Sequence, residues 1–169
     1  EIPELVEALG KVKQDKELVA VLVDGIVANG ALNPVIEALR HATICNESMK
    51  KLAATVAQIG SVNQIIRAIA TAPSNEDAET IWTMEIIGKG TSEQMLEALS
   101  LINKESTGVV ILATGLASLP DNNVQTMVRA LPACKDNVQA AAIVAKEVAK
   151  LADVNSMVGI LEKFVPQES

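Results

Sequence analysis

The chain has 169 residues, of which 49% are hydrophobic, and its formal net charge is −7. This composition allows one ordinary domain with a buried core and excludes a disordered tail. The acidic charge and the near absence of aromatic residues, with only Trp82 and Phe164 present, argue against a nucleic-acid interface. The longest nearly continuous apolar stretch, residues 108–119, is shorter than the roughly 20 residues that cross a membrane, so we expect no membrane contact.

The strongest pattern in the sequence is a five-residue phrase that occurs six times. The phrase consists of two large apolar residues, a variable residue, a small residue and a large one, except that the last copy has Ile160 in place of the small residue. It covers residues 5–9, 35–39, 65–69, 95–99, 127–131 and 157–161. The second members are spaced by 30, 30, 30, 32 and 30 residues, and a fixed period of this length is typical of a helical-repeat solenoid.

The first half of each repeat predicts a helix. In residues 60–89, apolar residues at 62, 65, 66 and 69 share one helical face. Ser61 and Gln64 have the spacing of an N-terminal capping box, which Thr91 and Gln94 repeat one period later. The small residues of the phrase should be buried and allow close helix approach. They are Ala8, Ala38, Ala68, Ala98 and Ala130.

The second half of each repeat predicts another helix, which in this repeat runs from about Asn75 to Ile87. Ser74 is the expected N-cap, and Gly88 or Gly90 is the expected stop, because glycine tolerates positive φ. A core position of this helix follows the first-helix phrase at constant spacing in all five complete repeats. The core residues are Leu22, Leu52, Trp82, Leu112 and Val144. The one irregularity, a two-residue insertion, falls in the predicted loop at residues 119–122.

The stretch from Ser48 to Ser61, followed by residues 65–69, resembles the short HEAT-like repeat of about 30 residues, found in phycobilisome bilin lyases and many scaffold proteins. The resemblance implies an all-α fold, an α-solenoid of five HEAT-like helical hairpins plus a terminal helix. We expect one repeat domain over residues 1–169. Its repeats are expected at 1–29, 30–59, 60–89, 90–121 and 122–151, with a half repeat at 152–164. Because the chain lacks an initiator methionine, we also expect a fragment of a longer protein.

The resemblance further implies that the second helices line the concave surface of the array. Helical geometry then turns one set of their residues outward, and these are the candidate partner-binding residues. They are Lys51, Ala54, Gln58, Ile81, Met84, Ile111, Thr114, Ser118 and Lys146. Two interpretations stay open: Ile81, Met84 and Ile111 form an exposed apolar groove, or Ile81, Ile111 and Ile143 pack against adjacent repeats and widen the core.

No residue pattern indicates catalysis. His41, the single histidine, follows a first helix, where the helix dipole accounts for it, and no cysteine–histidine cluster suggests a metal site. Cys45 and Cys134 lie three repeats apart, so we expect free thiols and a reducing, cytoplasmic location. We therefore expect a scaffold that binds a protein or peptide without catalytic residues, metal or cofactor. The alternatives are a HEAT-like-repeat enzyme or accessory factor of the bilin-lyase type, and a structural segment of a larger assembly.

Overall fold

A computed structural model describes residues 1–12 and 14–152 of the chain. Within this part the chain forms ten α-helices and no strand, which confirms the all-α prediction. The helices are α1 Ile2–Lys11, α2 Lys16–Ala28, α3 Leu32–Leu39, α4 Asn46–Ile59, α5 Val62–Thr71, α6 Glu76–Lys89, α7 Ser92–Leu101, α8 Thr107–Ala117, α9 Val124–Cys134 and α10 Val138–Leu151. The expected terminal helix in the half repeat 152–164 lies outside the described residues, apart from Ala152.

Consecutive helices fall two by two within the ranges expected for the repeats. For example, α5 and α6 lie within residues 60–89, although α6 continues two residues past the expected end at Ile87. The insertion at residues 119–122 lies in the loop between α8 and α9. The extra residues therefore lengthen a connection and leave the helices unchanged.

Even-numbered helices contact other even-numbered helices, and odd-numbered helices contact other odd-numbered helices. Each of the even-numbered helices α2, α4, α6 and α8 packs against the next even helix in chain order, the last of which is α10. Every odd helix packs against the even helix that follows it. Odd helices also meet, with α1 on α3, α5 on α7 and α7 on α9. Among the described helices, α3 and α5 are the one successive odd pair whose backbones do not approach each other this closely.

The recurring columns of the sequence supply the core. Ala38, Ala68, Ala98 and Ala130 have no exposed surface, whereas Ala8 is half-buried. In the second-helix column four of the five residues are buried, and Leu22 packs half-buried against them. Trp82 is buried in this column, and its indole Nε1 donates to the carbonyl oxygen of Ala53 on α4 at 3.1 Å. The tryptophan therefore links α6 to α4, in agreement with its predicted core role.

Side-chain caps begin several helices. Ser61 with Gln64 and Thr91 with Gln94 form the two predicted capping boxes at the starts of α5 and α7. The expectation that Ser74 caps α6 is wrong, because Asn75 is the N-cap and accepts from the amide of Ala78 at 3.0 Å. The Ser74 hydroxyl instead donates to Glu79 Oε1 at 2.8 Å.

The glycines that end the second helices act differently from the prediction. Gly60 and Gly90 have extended conformations with φ of −85° and −87°, and among the glycines of residues 1–12 and 14–152 only Gly30 has a positive φ, of 63°. A Cβ atom at Gly60 or Gly90 would lie 2.6 Å from the carbonyl oxygen of Val56 or Ile86, respectively. At these two helix ends glycine is therefore favoured by lack of space rather than by a left-handed backbone.

Candidate functional site

The nine candidate residues lie on one side of the even-numbered helices, which we call the even-helix face. Their spacing of three or four residues along α4, α6 and α8 places them on the sides of these helices turned away from the buried columns. Seven are exposed: Lys51, Ala54, Gln58, Met84, Thr114, Ser118 and Lys146. Ile81 and Ile111 are half-buried. The outward direction expected from the sequence therefore agrees with the observed exposure for most of the set.

The isoleucines divide between the two interpretations. Ile81 and Ile143 are half-buried and pack against the hydrophobic core, so they widen it. Ile111 is also half-buried but does not pack against that core. Met84, on the neighbouring helix, leaves 55% of its surface exposed. The apolar part of the even-helix face thus consists mainly of Met84 and the outer side of Ile111.

A groove of about 520 Å³ crosses α2, α4 and α6 at one end of the even-helix face. It brings together three of the candidate residues, Lys51, Ala54 and Ile81; the other six do not line it. The remaining lining residues are Ala20, Asp24, Glu47, Ser48 and Lys50. The groove therefore combines small or apolar side chains with charged ones from three successive even helices.

The charges along this groove are largely paired with each other. Lys51 Nζ lies 2.5 Å from Asp24 Oδ1 on α2, and Lys50 Nζ lies 3.3 Å from Asp77 Oδ2 on α6. The amide of Asn46 donates to Asp77 and, together with Lys50, lowers the pKa of that carboxyl group. Asp77 in turn raises the pKa of Lys50. These pairs join α4 to its two even neighbours.

The centre of the even-helix face consists of the candidate residues on α6 and α8, and none of these residues is charged. The Thr114 hydroxyl donates to the carbonyl oxygen of Val110, and the Ser118 hydroxyl donates to that of Thr114, each at 2.8 Å. Because both hydroxyl protons are used within α8, this surface offers few donors to a partner. Lys146 on α10 supplies a positive charge at the far side.

A second set of polar contacts, which the sequence analysis did not identify, joins neighbouring repeats near the starts of the even helices. Asn75 Nδ2 donates to Asn46 Oδ1 at 2.9 Å, and Asn46 Nδ2 donates to Asp77 Oδ2 at 2.6 Å. One repeat further, Asn103 Nδ2 donates to Ser74 Oγ at 3.1 Å. The bonded residues are 29 or 31 positions apart, which is one place away from the period of 30, so an alignment of the repeats does not bring these partners together.

Neither thiol forms a disulfide, as predicted. Burial raises the pKa of Cys134. Cys45 is half-buried just before α4, and the hydroxyl and backbone amide of Ser48 lower its pKa. His41 lies at the end of α3 beside Gly10, with a buried Nδ1 that has no hydrogen-bond partner among the described residues.

Residues 1–12 and 14–152 contain no group of three histidine, cysteine, aspartate or glutamate side chains placed to hold a metal ion. Across the same ranges, no helix has the length and apolar character that crossing a membrane requires. No protein-family model, curated protein or solved structure matches the chain.

Proposed function

We propose that this chain is a HEAT-like α-solenoid that binds a protein or peptide partner on its even-helix face and has no catalytic activity. The near-constant repeat period and the packing of even helices on even helices support this architecture. In an array of this kind one row of helices presents a continuous surface made from several repeats. A partner would therefore contact α4, α6, α8 and α10 together.

The observation that carries this proposal is the composition of the even-helix face. Met84 on α6 is 55% exposed, and Ile111 on the neighbouring α8 is half-buried. The hydroxyl groups of Thr114 and Ser118 on α8 use their protons within that helix. An exposed methionine and a half-buried isoleucine on adjacent helices favour a partner with a complementary apolar side, and methionine adapts to its shape. The paired charges around Lys51 at one end and Lys146 at the other would fix the partner's direction.

The proposal is tested by a double substitution, Met84→Asp with Thr114→Asp, in affinity purification with quantitative mass spectrometry. Both side chains are exposed, so the fold should survive, which circular dichroism checks. Leu101→Asp is the matched control, because Leu101 is 44% exposed but lies on α7. We expect the control to recover the same proteins as the wild type and the double variant to lose them. Equal recovery by the folded double variant would contradict binding at this face.

We also propose a cytoplasmic location for the chain. The support is the free state of Cys45 and Cys134, since paired cysteines are usual in oxidising compartments. A fluorescent-protein fusion of the chain, followed by fractionation, tests the location. Recovery of the fusion in a secreted or periplasmic fraction would contradict it.

A further inference from the structure

A second groove, of about 300 Å³, lies on the opposite row of helices, between α3 and α5. This is the place where the two successive odd helices do not approach closely. The lining residues are Asn33, Ile36, Glu37, Arg40, Arg67 and Thr71. The groove shares no residue with the even-helix face, so an inference drawn from it is independent of the proposed function.

Positive charge exceeds negative charge in this groove, although the whole chain is acidic. Arg40 and Arg67 supply two guanidinium groups, and Glu37 is the single carboxylate among the lining residues. Within residues 1–12 and 14–152, neither arginine has a carboxylate oxygen within 4.0 Å, and Glu37 forms no ion pair. The Thr71 hydroxyl is already used, because it donates to the carbonyl oxygen of Arg67 at 2.9 Å.

Another repeat has an arginine at the same place of the phrase, and that arginine is paired with a carboxylate. Arg129 on α9 occupies the third place of the five-residue phrase, as Arg67 does on α5. Arg129 donates to both carboxylate oxygens of Glu93 on α7, at 2.5 and 2.8 Å, and this pairing lowers the pKa of Glu93. A two-pronged arginine–carboxylate pair of this kind is both strong and geometrically specific.

The corresponding carboxylate is missing beside Arg67. Glu93 lies four residues before Glu97, the third residue of the phrase on α7. The same step back from Glu37 on α3 leads to Asn33, which lines the groove with Arg67. Where the α7–α9 pair has an acid, the α3–α5 pair therefore has a neutral amide and an open space.

We propose that the α3–α5 groove binds a glutamate or aspartate side chain from an acidic peptide segment of a partner. The incoming carboxylate takes the place beside Arg67 that Glu93 takes beside Arg129, and Arg40 adds a second positive charge. A guanidinium fork matches a planar carboxylate, so an acidic side chain fits better than a neutral amide. Ile36 gives the groove an apolar wall for the side-chain stem.

The direct test is a titration of the full chain with a peptide of alternating glutamate and glycine, followed by NMR of the arginine Nε–H signals at low ionic strength. A matched peptide with glutamine in place of glutamate is the control. We expect the glutamate peptide to shift the signals of Arg40 and Arg67 and to leave that of Arg129 unchanged. Absence of these shifts, or equal shifts with the glutamine peptide, would overturn the proposal.

Substitution of Asn33 separates this site from general charge attraction. Asn33→Glu places a carboxylate opposite Arg67 within the chain. This carboxylate should pair with Arg67 and lower the affinity for the glutamate peptide by about tenfold or more. Asn33→Gln introduces a side chain of the same size as glutamate but without its charge, so this variant should bind the glutamate peptide like the wild type. Arg67→Gln should lose binding to a similar extent, whereas Met84→Asp, on the other face, should not. Binding by folded Asn33→Glu or Arg67→Gln at wild-type strength would refute the assignment.

Discussion

The contact between α6 and α8 depends on a glycine and allows a sharp test of the packing. Gly115 lies near the end of α8 and faces Ile87 on α6. A Cβ atom at position 115 would overlap Cγ2 of Ile87 and lie 3.1 Å from its Cβ. Gly88, near the end of α6, has no neighbouring atom within 4 Å of the same hypothetical carbon. The two glycines therefore share a helical setting and differ in the space around them.

The magnitude follows from comparing Gly115→Ala with Gly88→Ala. Each substitution removes backbone freedom from the unfolded chain and gains helix propensity of up to about 1 kcal/mol. Only Gly115→Ala also forces the adjacent helices apart, and overpacking of this kind costs about 1–3 kcal/mol. The propensity gain is common to both variants, so the free energy of unfolding of Gly115→Ala should be lower than that of Gly88→Ala by about 1–3 kcal/mol.

Urea unfolding measures this difference, with the fluorescence of Trp82, the single and buried tryptophan, as the signal. Adding Ile87→Ala removes the atoms that overlap, so Gly115→Ala should become harmless or stabilising in that background. Equal stabilities for Gly115→Ala and Gly88→Ala would refute the close approach of α6 and α8. An unchanged penalty in the Ile87→Ala background would show that another contact causes it.

Three further predictions concern the core, the thiols and a cap. Ala68→Leu should destabilise by about 1–3 kcal/mol in urea, while Ala54→Leu on the exposed side of α4 should change stability by less than about 0.5 kcal/mol; similar effects would contradict burial at 68. In the folded protein, iodoacetamide should alkylate Cys45 before Cys134, as mass mapping would show, because Cys45 is more exposed and has the lower pKa; the reverse order would refute this. Asn123 Oδ1 accepts a hydrogen bond from the amide of Thr126 in the first turn of α9. Asn123→Ala removes this cap and should lower the free energy of unfolding, measured in urea, by about 1 kcal/mol. An unchanged stability would contradict the cap.

Helix positions and core columns could be predicted because both arise from local periodicity. The small residue of the phrase marks where two helices meet, and Ala68 and Ala98 are accordingly fully buried. The capping box at Ser61 and Gln64 was predictable for the same reason, since both residues lie within one helical turn. The exposed sides of Ala54 and Thr114 follow from the position of those columns.

The errors and omissions came from interactions that local spacing does not encode. Ser74 and Asn75 are both good caps, but the Ser74 hydroxyl donates to Glu79 and Asn75 accepts from the first turn of the helix. Gly90 has a normal φ, and its lack of a side chain matters because the chain turns against the preceding carbonyl group. The open space beside Arg67 depends on how far α3 lies from α5, which the period alone does not specify.

We propose that the even-numbered helices follow one another in a row and expose one common face. Pulsed electron resonance between spin labels tests it directly, with one label at Ala54 and the second at Met84, Thr114 or Lys146, in a cysteine-free background. Adjacent packed helices lie about 8–10 Å apart, so the three distances should increase by about that amount at each step. A distance from position 54 to 146 no longer than that from 54 to 84 would contradict the stacked row.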